Sequence, residues 1–146
     1  MSPPALAVRL LRPGARAPAR AHPGDAGLDL VAAEPCRLGP GARAAVPTGL
    51  AVAVPPGHAG LVVPRSGLAL RHGVTVANAP GLIDSGYRGE LMVLLVNLGA
   101  APHAIAAGDR IAQLVIVSAP ACDVRETDEL PASDGRGAGG FGSTGA

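Results

Sequence analysis

Residues 44–63 read AAVPTGLAVAVPPGHAGLVV, and Pro64 follows directly. This stretch holds two apolar runs rich in Val, residues 44–54 and 59–63, separated by Pro55, Pro56 and Gly57 and closed by Pro64. Proline removes backbone donors and glycine weakens a helical turn, so runs of this kind become strands joined by turns. The same pattern recurs outward from this stretch, at residues 6–11 before it and at 74–77, 91–98 and 110–117 after it, each bounded by Gly, Pro or Asn. This spacing predicts an all-β fold, a jelly-roll-like barrel or sandwich, rather than strands alternating with crossover helices. One segment, residues 66–71, predicts a short helical turn with Ser66 as its cap.

The chain has 146 residues, is 48% hydrophobic and has a mean hydropathy of +0.33, yet it contains one Tyr, one Phe and no Trp. Its core must therefore be aliphatic. The length suits a single domain that buries roughly two thirds of the surface of the unfolded chain. Gly and Pro supply about a quarter of the residues, but the apolar content is too high for a disordered chain. The formal charge is +1, and all twelve basic residues are Arg. With neither a basic stripe nor aromatic platforms, the chain is not expected to bind a nucleic-acid polymer. No apolar run approaches a membrane span, and the N-terminus lacks signal-peptide order, so a cytoplasmic protein with no membrane partner is expected. Cys36 and Cys122 have no metal-binding spacing and are expected to be small buried hydrophobes. The histidines, His22, His58, His72 and His103, are scattered.

From Pro120 onward the apolar signal fades through Asp123, Glu126, Asp128 and Glu129. This divides the chain into a β-rich core, residues 1–119, and a C-terminal arm, residues 120–146. The arm carries RGAGGFGSTG at 136–145. Gly137, Gly139 and Gly142 have the spacing of a dinucleotide fingerprint, but no helix can follow, and no Lys precedes Ser143-Thr144 as a P-loop requires. The composition is nonetheless that of a phosphate cradle: exposed backbone N–H groups, two hydroxyls and the Arg136 fork. A solvated tail is the alternative, although Phe141 has no core to join there and is suited to closing over a flat group. PRSG at 64–67 opens the helical turn, where Arg65 and Ser66 could hold an anion or serve only as a structural pair and cap. GLIDSGYRGE at 81–90 predicts a β-hairpin. Its Asp84 follows Leu82 and Ile83, a setting that either keeps a carboxylate partly desolvated and basic or makes it an ordinary turn residue. Asp29, alternating with Leu28 and Leu30, could accept from a metal-bound water or face solvent from a half-buried strand.

In order, AGLDL at 26–30, PRSG at 64–67, GLIDSGYRGEL at 81–91, GDRIAQLV at 108–115 and RGAGGFGSTG at 136–145 resemble the five motifs of the trimeric dUTPase family. The likeness covers nearly the whole chain. It implies a homotrimer with shared active sites that hydrolyses dUTP to dUMP and pyrophosphate with Mg²⁺, keeping uracil out of DNA and supplying dUMP for thymidylate synthesis. It further implies that Asp84 is the general base and that Asp29 meets the metal through water. Arg65, Ser66, Gly67, Gln113, Arg136, Gly142, Ser143 and Thr144 would hold the phosphates. Asn78, Leu82, Ile83, Asp84 and the main chain near Met92 would read uracil, Tyr87 would lie under the deoxyribose, and Phe141 would stack on the base. Gly86 stands where the family often has an acidic residue. Two other readings are a dCTP deaminase-like enzyme, for which Glu90 is the only candidate in the third motif to activate water, and a silent trimeric nucleotide-binding module. The tail and the GYRGEL segment fit dUTPase better than the first, and retention of Asp84 argues against the second.

Overall fold

The computed structural model describes residues 2–145. Its elements run β1 (Ala7–Leu10), β2 (Leu28–Val31), β3 (Cys36–Leu38), β4 (Arg43–Ala53), β5 (His58–Val63), α1 (Ser66–His72), β6 (Val74–Val76), β7 (Gly81–Ile83), β8 (Glu90–Asn97), β9 (His103–Ile105) and β10 (Arg110–Ser118). All pairings are antiparallel. One four-stranded sheet has the order β1-β4-β8-β6, a second has β2-β10-β5-β7, and β3 pairs with β9. The all-β expectation holds. The short elements β3, β7 and β9 are too brief for alternation to reveal them.

The two larger sheets share one aliphatic core. Val46, Leu50, Val52, Leu91, Val93 and Leu95 from one meet Leu30, Val62, Ile111 and Leu114 from the other. In β8 the alternation is complete: Leu91, Val93, Leu95 and Asn97 point inward, while Met92 and Leu94 are exposed. Each buried Leu or Val side chain contributes roughly 1.5–3 kcal/mol relative to exposure. No aromatic ring takes part, since Tyr87 and Phe141 are both exposed.

Where β4 meets β8 the register shifts between Pro47 and Ala51. Gly49 has φ +71° in this irregular stretch, and a Cβ there would come within 2.9 Å of the Ala15 Cβ, so both conformation and space call for glycine. The buried Thr48 hydroxyl closes the gap by donating to the Leu91 carbonyl at 2.7 Å and accepting from the Leu50 N–H at 3.2 Å. Thr48→Val is expected to cost about 1–3 kcal/mol, because the isosteric methyl leaves buried polar groups unpaired. Urea unfolding followed by far-UV circular dichroism measures this loss.

At the far end of α1 the His72 and His103 rings stack with centroids 4.4 Å apart. Partial burial and then the neighbouring His72 push the His103 pKa down, with Asp109 opposing. Protonation therefore favours the unfolded chain. Stability should be full above the ordinary His value of about 6.5 and fall as pH drops below it. Thermal melts between pH 7.5 and 5.5 should show this decline, and His103→Asn should flatten it.

Two expectations are corrected. Residues 81–90 do not form a hairpin, because β7 pairs with β5 in one sheet whereas β8 pairs with β4 and β6 in the other. The turn between them crosses from sheet to sheet. Cys122 is exposed and Cys36 half-buried, so only Cys36 packs against the core. No helix among the described residues is long and apolar enough to cross a membrane.

Candidate active site

β2, β10 and β5 align Asp29, Gln113 and Val63 in one row of their sheet. The chain leaves β5 through Pro64 into Arg65, whose extended backbone (φ −97°, ψ 126°) precedes α1. Arg65, not Ser66, occupies the position before the helix, and no side chain caps it. Ser66 is the first helical residue and is exposed, so its hydroxyl is not consumed in capping as the sequence suggested.

The Asp29 carboxylate, 14% exposed, lies 3.9 Å from Arg65 Nε and 3.8 Å from Arg110 Nη1. Neither distance is a hydrogen bond. Arg65 Nη1 donates to the Arg110 carbonyl at 3.3 Å. Arg65 Nε is buried with no acceptor among the described residues. A buried guanidinium donor of this kind is suited to a phosphate oxygen. Gly27, Asp29, Gln113, Asp25, Ala21 and Ala26 line a depression, so Asp29 belongs both to it and to the pairing with Arg65.

Gly27 and Arg110 adjoin this surface, although reasoning from the motifs did not single them out. A Cβ at Gly27 would fall 2.6 Å from Gln113 Oε1, so glycine is what lets the amide lie across this surface. Gly27→Ala is expected to displace Gln113 and raise the KM for the substrate that the motifs imply about tenfold, with the fold retained. Steady-state kinetics alongside a thermal melt test this. Within α1, the Arg71 guanidinium lies over Gly67, where a Cβ would approach it to 2.8 Å.

The remaining predicted residues are spread out. Asn78 is exposed beside Gly81, and a Gly81 Cβ would be 3.3 Å from its amide nitrogen. Leu82 is exposed and Ile83 half-buried. Asp84 is also exposed, which corrects the expectation of a desolvated carboxylate: at the mouth of a cross-sheet turn, Leu82 faces solvent and builds no apolar pocket around it. Tyr87 N–H donates to the Asp84 carbonyl at 3.1 Å, and the Tyr87 hydroxyl donates to the Glu90 carbonyl at 2.9 Å. Gly86 has no heavy atom within 4 Å of a built Cβ and no positive φ, so the turn does not depend on glycine there. Met92 stands opposite Pro47 on the outer face of its sheet.

The registers set a distance. Gly81 lies opposite Val62 and Ile83 opposite Gly60, so Asp84 is about four residue steps along the sheet from the Asp29–Gln113–Val63 row, roughly 13 Å. The arm is separate again. Arg136, Phe141, Gly142, Ser143 and Thr144 are exposed, and successive turns are closed by Gly139 N–H to the Arg136 carbonyl and Ser143 N–H to the Gly140 carbonyl. Arg136 Nε donates to the Gly139 carbonyl at 3.0 Å, and Phe141 has φ +49°. One chain thus assembles the Asp29, Arg65 and Gln113 surface but does not bring Asp84 or Phe141 to it.

Fold and site together define an all-β protein that carries a buried, unmatched guanidinium donor beside a carboxylate at one sheet surface. A family model described as dUTPase matches residues 14–145. The chain is 57% identical over 143 residues to the deoxyuridine 5'-triphosphate nucleotidohydrolase of Anaeromyxobacter sp. (strain Fw109-5), covering 94% of this chain and 97% of that one. It is 50% identical over 147 residues to that of Gloeobacter violaceus, covering 99% of each. Among solved structures, a mutant of the Staphylococcus bacteriophage 80alpha dUTPase with dUpNHpp matches with a TM-score of 0.91 and 31% identity, covering 97% of this chain and 99% of that one. A dUTPase mutant from phage phi11 of S. aureus, described with a structural Mg(II) ion, matches with a TM-score of 0.82 and 30% identity, covering 88% and 100%. The chain belongs to the dUTPase family.

Proposed function

We infer that this chain hydrolyses dUTP to dUMP and pyrophosphate. The observation that carries the reading is the buried, unmatched Arg65 donor beside Asp29 and Gln113 in a member of the dUTPase family. Water attacks the α-phosphorus and forms one P–O bond as Asp84 accepts its proton. The bond from the α-phosphorus to the bridging oxygen breaks, and that oxygen leaves with pyrophosphate. Arg65, Ser66, Gly67 and Gln113, joined by Arg136, Gly142, Ser143 and Thr144 of the arm, hold the phosphates and stabilise their charge. Asn78, Leu82, Ile83, Asp84 and the main chain near Met92 read the uracil edge. Tyr87 packs under the deoxyribose and excludes a 2′-hydroxyl, and Phe141 stacks on the base. Removal of dUTP keeps uracil out of DNA and supplies dUMP for thymidylate synthesis, work suited to the cytoplasm.

The donor set suits Mg²⁺ carried by the substrate. Among the described residues no three His, Cys, Asp or Glu side chains converge as a cage, and Asp29 is a single carboxylate balanced by two guanidinium groups. Asp29 would be the residue to hold such an ion, accepting hydrogen bonds from its hydration shell. When bound, Mg²⁺ offsets the charge of the triphosphate.

The homotrimer belongs to the same reading. The roughly 13 Å between Asp84 and the Asp29 row, and the detached arm, are accounted for if each site combines segments of different subunits. The outer face of the sheet, where Ala45 pairs with Leu94 and Pro47 with Met92, is an apolar surface fit to meet another copy. Residues 2–119 then act as the core and 120–145 as the lid; Met1 and Ala146 lie outside the described residues. Light scattering tests the trimer. Assaying pyrophosphate and ammonia from dUTP, dTTP, UTP and dCTP with Mg²⁺ tests the reaction: pyrophosphate from dUTP alone is expected, and ammonia from dCTP would overturn the reading. The Glu90 carboxylate is already engaged by Arg12, which disfavours the deaminase role.

A further inference from the structure

Arg12 lies outside the five motifs, yet its guanidinium joins three segments of the chain. Nη1 donates to Glu34 Oε1 at 2.6 Å in the segment after β2, and Nη2 donates to the Glu90 carboxylate at the start of β8. The first contact is exposed. The second is more enclosed, with the Glu90 side chain 20% exposed. Arg12 is itself fixed in a turn: Leu11 N–H donates to the Gly49 carbonyl at 2.8 Å, and Ala15 N–H donates to the Arg12 carbonyl at 3.2 Å. Glu90 faces Ala51 beyond the register shift, at the first position of β8. Its carbonyl is the acceptor for the Tyr87 hydroxyl, and a Cβ at Gly89 would fall 2.5 Å from that oxygen. Tyr87 is therefore seated on Glu90, and Glu90 is tied to Arg12.

We propose that Arg12 is a positioning residue for sugar selection: by holding Glu90 through its carboxylate, it fixes the carbonyl on which Tyr87 rests and so the ring that meets the deoxyribose. This rests on the assignment of Tyr87 to the sugar made above. One guanidinium nitrogen serves each carboxylate, and only the Glu90 contact bears on Tyr87; lysine keeps the charge but not the planar donor at that reach, so it should hold Glu90 less firmly.

The test is the ratio of kcat/KM for dUTP to that for UTP, measured with the full-length protein. Arg12→Ala and Glu90→Ala are each expected to lower this ratio by about tenfold, chiefly through a higher KM for dUTP, and the double variant should lower it no further. Arg12→Lys should fall between. Glu34→Ala, which breaks only the exposed contact, should leave the ratio unchanged. A purely structural role would lower the melting temperature without moving the ratio, and that result overturns the proposal. Should Arg12→Ala fail to fold, Arg12→Lys and Glu90→Gln carry the same comparison. Tyr87→Ala separates the two inferences. If it leaves the ratio intact, the sugar assignment fails; if it collapses the ratio while the Arg12 and Glu90 variants do not, the tether alone fails.

Discussion

Asp84→Asn is expected to lower turnover of dUTP by roughly 10²–10⁴-fold, the range supplied by a positioned general base, while the Kd for a non-hydrolysable analogue changes little. The carboxamide keeps the shape of the carboxylate but cannot take a proton from water. Asp84 is exposed at the mouth of a turn, and the backbone it shapes is held by the Tyr87 N–H and the Asp84 carbonyl, neither of which the substitution touches. The fold should therefore be preserved. Single-turnover release of pyrophosphate measures the chemical step, and calorimetry with the analogue measures binding. Turnover within a few fold of the parent would remove Asp84 from its role.

Truncation after Pro131 is the second large effect. The described residues deleted, 132–145, lie outside every strand and the helix, and all but the half-buried Gly139 are exposed, so among the described residues the core loses no buried surface. Far-UV circular dichroism and the melting temperature should be unchanged, whereas kcat/KM for dUTP should fall by about 100-fold or more. Phe141→Ala should account for part of this loss, since stacking of a base on an aromatic ring contributes about 1–3 kcal/mol. If the truncated chain retains full activity, the arm is a solvated tail with no part in the reaction.

Architecture was legible in the sequence wherever alternation ran long enough. β8 alternates throughout and β4 and β10 are long apolar runs with Gly or Pro within two residues of each end, so pattern and punctuation agree. The 81–90 segment shows the limit. Two strands joined by a short turn suggest a hairpin, but pairing is decided by which sheet each strand joins, and Gly81, opposite Val62, gives β7 its partner in β5. Ser66 misled for a related reason: a helix start is set by backbone dihedrals, and Arg65 adopts the extended conformation that precedes α1.

For the site, the motif residues were visible, but the way they divide was not. Asp29 and Gln113 share a row only because β2 and β10 pair in that register, and Asp84 is removed from them because β7 runs antiparallel to β5. Desolvation of Asp84 could not be inferred from Leu82 and Ile83, because adjacent residues in a strand point to opposite faces. Gly27 meets Gln113, and Arg12 meets Glu90, across long separations in sequence, so contacts and not spacing bring these pairs to light.

The aromatic-free core has a spectroscopic consequence. With no Trp and a single Tyr, nearly all absorption and emission near 280–300 nm comes from Tyr87, which is exposed on the cross-sheet turn rather than packed inside. Its optical signal reports on the surroundings of that turn and is nearly silent to the state of the hydrophobic interior. The chain carries its own fluorophore at the position assigned to the sugar, so titration with nucleotide can be followed without a label, whereas unfolding has to be read from the backbone.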